Sequence, residues 1–468
     1  MARNEENDHK LHIAMFPWLA FGHMIPFLEL SIVIAQKGHK ISFISTPKNI
    51  DRLPKIPQNL AHLINFIKLP LPYVQNLPLH AESTTDLPLE DTWHLTKAYD
   101  LLQEPFSQFL QSNIDNNSLP NWILFDFVSF WVPDLCRKLN VRTVFFSIFT
   151  ASSLCYCCPP SGDEDYRSVI EDYTVKPVWI PFQSAISFNF FEAVRVFSSI
   201  TGNESNLSVF YRLREAIKRC DLIAVRSCTE FESEWLQLMK NLHKKPVIPV
   251  GLLPRKADEA ESDSWRSIKN WLDNQRKGSV VYVAFGSEAK PSQVELTELA
   301  LGLELSRLPF LWVLRKRRGL ADTEAVELPD NGFEERVKGL GMVCTSWAPQ
   351  VRILAHDSVG GFLTHSGMGS VVEGLQFGRA LIVLTYFSDQ GLNARVLEEK
   401  KIAHLIPRNE EDGSFTSQAV ADSLRLVVEE EEGKVYRDNC MEMKELFGDR
   451  NRQNQYVDKF VDCLRNPN

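Results

Sequence analysis

The chain has 468 residues, too many for one ordinary hydrophobic core, so two domains are expected. Hydrophobic residues make up 44% and charged residues 24%, the balance of a globular protein in water. A net charge of -9 argues against nucleic acid or an anionic membrane as a partner, since both need a basic surface.

The nine cysteines are scattered and odd in number, which suits reduced core thiols. The N-terminal MARNEENDHK is polar and no apolar export segment follows it. No apolar run approaches the ~20 residues that span a bilayer. A soluble, cytoplasmic protein without stable membrane insertion is the expectation. No His/Cys cluster suggests a metal, and neither a metal nor a cofactor is expected.

In chain order, Leu11 to Phe16 reads as a strand, followed by a Pro/Gly-punctuated loop and a helix from Ile25 to Gln36. Gly38 stops that helix, and Lys40 to Ser45 forms the next strand. Strand-like runs recur at Leu63 to Ile67, Trp122 to Phe125, Val141 to Phe146 and Leu222 to Val225, with helical segments between them. Strands alternating with helices predict a parallel sheet covered on both faces. Around Leu252 the pattern lapses into the polar, aperiodic run LLPRKADEAESDS, which suits a linker. A second alternating series follows: Ser279 to Ala284, a helix over Gln293 to Ser306, Phe310 to Leu314, and later Lys401 to Ile406. Ser292 and Glu295 have the spacing of a capping box. The EEEE run at 429–432 reads as a solvated helix end, and the last helix, about Gln453 to Leu464, has an apolar face that needs a partner. The domain expectation is 1–252, a linker over 253–265, 266–450, and a C-terminal helix over 451–468 that packs back on the first domain.

The segment from Trp347 to Gln390 carries the chemistry. Trp347 offers a flat aromatic face and Gln350 an amide suited to a base or ribose. The apolar strand Val359 to Leu363 ends in Thr364-His365-Ser366-Gly367-Met368-Gly369-Ser370. Small residues there let a backbone approach closely, and the helix start behind them points free amides at an anion such as a diphosphate. Val280 to Phe285 ends similarly in Gly286-Ser287. His365, Ser287 and Ser370 add donors. A dinucleotide-binding loop is disfavoured because its third glycine position is Val372, and no Gly-Lys-Ser/Thr triplet makes a P-loop. A dehydrogenase on a Rossmann scaffold is therefore the weaker rival.

These residues in this register resemble the signature box of plant UDP-glycosyltransferases, the inverting family 1. The resemblance implies a GT-B fold, an α/β architecture of two Rossmann-like domains facing a cleft. It implies that Trp347, beside Ala348, stacks on uracil, that Gln350 and Glu373 hold ribose hydroxyls, and that His365 binds diphosphate. Gly367, Met368, Gly369 and Ser370 belong to that phosphate loop. Asp389 and Gln390 match the pair that grips the transferred hexose, and Gln390 resembles glucose users. The family has Trp then Asn where this chain has Met368 and Gly369, a departure that bears on donor binding or donor choice.

The opening HIAMFPWLAFGHMIPFLELS also matches the family, placing His23 in the first loop as the general base. An imidazole is largely neutral at pH 7 and ready to accept a proton, which suits that role independently. Asp126 matches the family's partner carboxylate and would hold the imidazole tautomer. Taken alone, Asp126 also reads as the N-cap of a helix near 130. The aromatics Trp18, Phe21, Phe127, Phe130, Trp131, Phe146, Phe149 and Phe188 to Phe191 cluster near these points. Most belong to the core, and a subset suits an apolar acceptor pocket.

The expectation is an inverting UDP-sugar glycosyltransferase, acting as a monomer. It would move a hexose, glucose, to a hydroxyl of a phenolic, a terpenoid or an existing glycoside. The alternative is a catalytically weakened UDP-sugar-binding protein, motivated by Met368 and Gly369.

Overall fold

The computed structural model describes residues 10–202, 206–257, 261–286, 288–289, 291–314 and 332–466. The chain forms two compact units: Met1–Asp165, Ser198–Leu253 and Asn451–Asn468 make the first, and Tyr166–Phe197 with Pro254–Arg450 make the second.

The first unit is built on seven parallel strands: β1 His12–Phe16, β2 Lys40–Ser45, β3 Ile64–Lys68, β4 Trp122–Phe125, β5 Arg142–Ser147, β6 Leu222–Val225 and β7 Val247–Pro249. Their order is β3-β2-β1-β4-β5-β6-β7, so the winding reverses between β1 and β4. Helices cover both faces, which is why β1, β4 and β6 are nearly continuous apolar runs with little alternation.

The second unit carries β8 Val280–Val283, β9 Phe310–Val313, β10 Gly341–Cys344, β11 Val359–Thr364, β12 Ala380–Val383 and β13 Ala403–Leu405. The order β10-β9-β8-β11-β12-β13 reverses between β8 and β11, and all ladders are parallel. The helix Gln293–Ser306 has the expected capping box, with Ser292 and Glu295 exchanging side-chain and backbone bonds. Among the described residues no helix is long and apolar enough to cross a membrane.

Several elements differ from the sequence-based expectation. The first helix starts at Phe21, four residues before Ile25, so His23 lies in its first turn and not in a loop. Gly22 and Pro26 read as punctuation. Pro26 nevertheless costs the helix only the one bond that the Gly22 carbonyl would accept. Strands β7 and β10 had no strong signal: β7 has three residues, and β10 opens with Gly341. The described ends of the run 252–264 are held in place. Its Pro254 and Arg255 carbonyls accept from Arg450, and a helix Asp263–Asp273 begins within it, capped by Ser262.

The expected 1–252 domain also differs from the compact unit, because Tyr166–Phe197 clusters with the second unit. The reason is a buried carboxylate on the helix Phe190–Thr201. Glu192 accepts from Thr385 and pairs with Arg395 at 3.2 Å, and its oxygens sit where a Cβ on Gly391 would be.

The C-terminal helix Arg450–Arg465 supplies Val457, Phe460, Val461 and Leu464 to the core of the first unit, beside Ile13, Phe27 and Leu124. Its Leu464 carbonyl accepts from the Trp122 indole at 2.9 Å, and the Gln453 side chain accepts from Leu252 N–H at 2.6 Å. Phe460 is fully buried. Phe460→Ala should therefore destabilise the first unit by about 3–5 kcal/mol, the cost of removing a buried Phe. Urea unfolding followed by fluorescence measures this; a loss below about 1 kcal/mol would show that the helix is dispensable to that core.

Candidate active site

Parallel sheets bind ligands where the strand order reverses, because loops leaving neighbouring strands there diverge and open a crevice. In the first unit that place lies beyond the ends of β1 and β4. His23 follows β1, and Asp126 is the residue after β4. Their side chains meet: His23 Nδ1 lies 2.8 Å from Asp126 Oδ2.

The carboxylate is fixed independently of the imidazole. Asp126 is 1% exposed, its Oδ2 accepts from the Trp18 amide at 3.1 Å and its Oδ1 from the Phe127 amide at 2.8 Å. The second bond makes Asp126 the N-cap of the short 3-10 turn Phe127–Ser129, so the capping role and the pairing role coexist in one side chain. With every neighbour donating to it, the aspartate takes a proton-bearing Nδ1, and neutral His23 then presents Nε2 as a bare acceptor. The ring lies between Phe127 and Phe149, with centroids at 5.8 and 5.6 Å. Of the aromatics marked in the sequence, these two flank His23. Trp18 packs edge-on against Tyr99, and Trp131 against Phe16 and Phe106.

In the second unit the reversal lies beyond β8 and β11, and His365 follows β11 directly. Its ring touches the backbone of both loops: a Cβ on Gly286 would come within 2.8 Å of it, and one on Gly367 within 2.5 Å. Those two glycines are required by close approach, and Gly286 also by its φ of +69°. Burial pushes the His365 pKa down to about 4, so the ring is neutral at pH 7 and offers one N–H. Behind it the helix Met368–Leu375 begins with Gly367 as N-cap. The Met368, Gly369 and Ser370 amides therefore lack intrahelical acceptors and suit an anion. Gly369 differs from the other two glycines: a Cβ there meets nothing within 4 Å. Met368 is buried.

Trp347 is 60% exposed, an unusual state for a large aromatic and one that leaves a ring face open for stacking, while Ala348 is buried beside it. Gln350, Ser370 and Glu373 converge. The Gln350 amide donates to Glu373 Oε2 at 2.7 Å and to Ser370 Oγ at 3.4 Å, and its oxygen accepts from Tyr282 at 3.2 Å. Glu373 also pairs with Arg255 at 3.1 Å.

Asp389 accepts from Asn393 at 2.9 Å and is the N-cap residue of the helix Gln390–Glu399. Gln390 is buried, and its oxygen already accepts from the Tyr386 and Phe387 amides, at 2.8 and 3.2 Å. That fixes its amide NH2 as the group available to a ligand. Ser287 lies outside the described residues.

Sequence reasoning missed Arg255, Tyr282 and Glu192. Arg255 sits in a stretch whose composition signalled only a linker. Tyr282 reads as one more residue of the strand Ser279 to Ala284, and Glu192 lies outside every motif of the sequence. No local pattern distinguishes them, because their partners lie 118, 68 and 193 residues away. Among the described residues no group of three or more His, Cys, Asp or Glu is arranged to hold a metal ion.

Residues 221–459 match the family model for UDP-glucoronosyl and UDP-glucosyl transferases. The chain is 53% identical to UDP-glycosyltransferase 91A1 of Arabidopsis thaliana, over 98% of each chain. It is 42% identical to soyasaponin III rhamnosyltransferase of Glycine max, over 98% of this chain and 97% of that one. Among solved structures, Arabidopsis thaliana UGT89C1 complexed with UDP-L-rhamnose superposes with a TM-score of 0.75 at 26% identity, covering 97% of this chain and 99% of that one. A Polygonum tinctorium UDP-glucosyltransferase shares the fold with a TM-score of 0.77 at 22% identity, over 98% and 99%. Two Rossmann-like units with these switch-point residues, matched along nearly their whole length, leave one assignment: the chain belongs to the plant family 1 UDP-glycosyltransferases and is a UDP-glycosyltransferase of GT-B fold.

Proposed function

We propose that the enzyme moves glucose, with inversion, from UDP-glucose to a hydroxyl of a small plant metabolite or of a sugar already attached to one, and that it works in the cytosol. The observation that carries the mechanism is the His23–Asp126 pair, 2.8 Å apart, with the carboxylate anchored by two backbone amides. His23 Nε2 takes the proton of the acceptor hydroxyl as its oxygen attacks the anomeric carbon. The bond from that carbon to the UDP oxygen breaks, and UDP leaves with the electron pair. Asp126 holds the tautomer and stabilises the imidazolium that forms. The helix amides behind Gly367 and the His365 N–H balance charge growing on the diphosphate. Trp347 stacks on uracil, and Asp389 with the Gln390 amide holds the hexose. The base is on the first unit and the donor residues are on the second.

An intact base pair argues against a protein that only binds UDP-sugar. An acceptor that already carries sugar is supported by one relative's name, since soyasaponin III is a glycoside by chemical class. Rhamnose is the competing donor, favoured by that rhamnosyltransferase and by the UDP-L-rhamnose complex of UGT89C1.

His23→Ala should leave UDP affinity nearly intact and lower turnover by about 10²–10⁴, the worth of a positioned proton acceptor. Asp126→Asn should cost less, since the imidazole remains. A folded His23→Ala enzyme turning over within a few-fold of wild type would move the proton acceptor elsewhere. Trp347→Ala removes a stacking contact of about 1–3 kcal/mol, so the UDP affinity read by calorimetry should drop roughly ten- to a hundredfold. Unchanged affinity would take Trp347 out of the donor site. When UDP-glucose, UDP-galactose, UDP-xylose and UDP-rhamnose compete for a shared panel of flavonoid, terpenoid and glycoside acceptors, the glucoside should dominate. Dominance of the rhamnoside would overturn the choice of glucose and leave the reaction class standing.

A further inference from the structure

Glu373 is 8% exposed on its side chain, and among the described residues the cation paired with it is Arg255. A buried carboxylate without a counter-charge is strongly unfavourable, so this pair governs how Glu373 is held. Arg255 is itself placed from outside the site. The Arg450 guanidinium donates to the Pro254 carbonyl at 3.1 Å and to the Arg255 carbonyl at 2.8 Å, pinning the backbone on which Arg255 stands.

The hydrogen-bond capacity of Glu373 can be counted. An ionised carboxylate has about four acceptor positions, two per oxygen. Oε1 accepts from Arg255 Nη1 at 3.1 Å, and Oε2 accepts from Gln350 Nε2 at 2.7 Å. One position remains on each oxygen. Two adjacent acceptors on one planar group match two adjacent hydroxyl donors, the 2′ and 3′ hydroxyls of a ribose.

We propose that Arg255 is a positioning residue of the donor site: by pairing with Glu373 it orients the carboxylate so that both oxygens face the ribose diol, and it thereby sets discrimination between ribose and deoxyribose nucleotides. The inference rests on the donor-site reading above. Arg255 acts through Glu373, so its removal should weaken recognition of the diol and spare uracil and diphosphate recognition. A residue that merely stapled the linker would affect every nucleotide alike.

Calorimetric affinities of the full chain for UDP, 2′-deoxy-UDP and 2′,3′-dideoxy-UDP separate these cases. Wild type should bind UDP about tenfold or more tighter than the dideoxy compound, the order expected for hydrogen bonds to a charged group. In Arg255→Ala that ratio should fall to within about threefold, mainly through weaker UDP binding, while dideoxy-UDP affinity stays nearly constant. Arg255→Lys should restore part of the ratio, and Arg255→Ala added to Glu373→Gln should change it no further. Thermal unfolding identifies any variant that fails to fold, and Arg255→Gln then serves as the milder substitution. An unchanged ratio in the folded Arg255 variants overturns the proposal, whatever happens to overall affinity. A wild type that binds UDP and dideoxy-UDP equally also overturns it, and spares the donor site. A wild type that binds no UDP overturns both.

Discussion

Parallel pairing buries a sheet on both faces and leaves only its strand ends for chemistry. The position where winding reverses is the one place where two neighbouring loops part from each other. Both units obey this constraint. In the first it brings the residues after β1 and β4 together, and in the second those after β8 and β11. The His23–Asp126 pair and the His365 loops follow from those two reversals. His23 and Asp126 are 103 residues apart in sequence, yet share one crevice because β1 and β4 are hydrogen-bonded neighbours. Gly286 and His365 meet for the same reason across β8 and β11.

Burial then decides the charge state and geometry of each group. Among the described residues no acidic partner offsets the desolvation of His365, which stays neutral, a donor without net charge beside a site suited to a diphosphate. Asp126, Glu373 and Glu192 are carboxylates taken nearly out of water, and each is compensated differently. Asp126 uses two backbone amides, Glu373 an arginine and an amide side chain, and Glu192 an arginine and a threonine hydroxyl. Backbone amides cannot rotate away, so the carboxylate facing the proposed base has the most rigid support. Glu192 explains why Tyr166–Phe197 belongs to the second unit although it comes early in the chain.

The two departures in the signature box have distinct physical consequences. Gly286 and Gly367 are forced by contact with the His365 ring, whereas Gly369 is under no such demand. Gly369 lies in the first turn of its helix, outside the interior where a glycine costs about 0.8–1 kcal/mol relative to alanine, and has open space around it. Met368, in contrast, is buried, and its flexible side chain occupies a place where the family has a rigid indole.

Local order was legible in the sequence because it arises from near neighbours. Apolar runs gave most of the strands, Ser292 and Glu295 gave a helix start, and the spacing from Trp347 to Gln390 gave the donor box with its glycines. The short strands β7 and β10 and the true start of the first helix escaped, since three or four residues carry too little pattern and Pro26 imitates a break. Tertiary structure alone decided which polar groups meet. Arg255 with Glu373, Tyr282 with Gln350, and Glu192 with Thr385 and Arg395 join residues from 68 to 203 apart, brought together by chain crossing. Periodicity records which face of an element is buried. It does not record what a buried charge will find opposite it, and the fit of each carboxylate to its partners exists only once the units have folded.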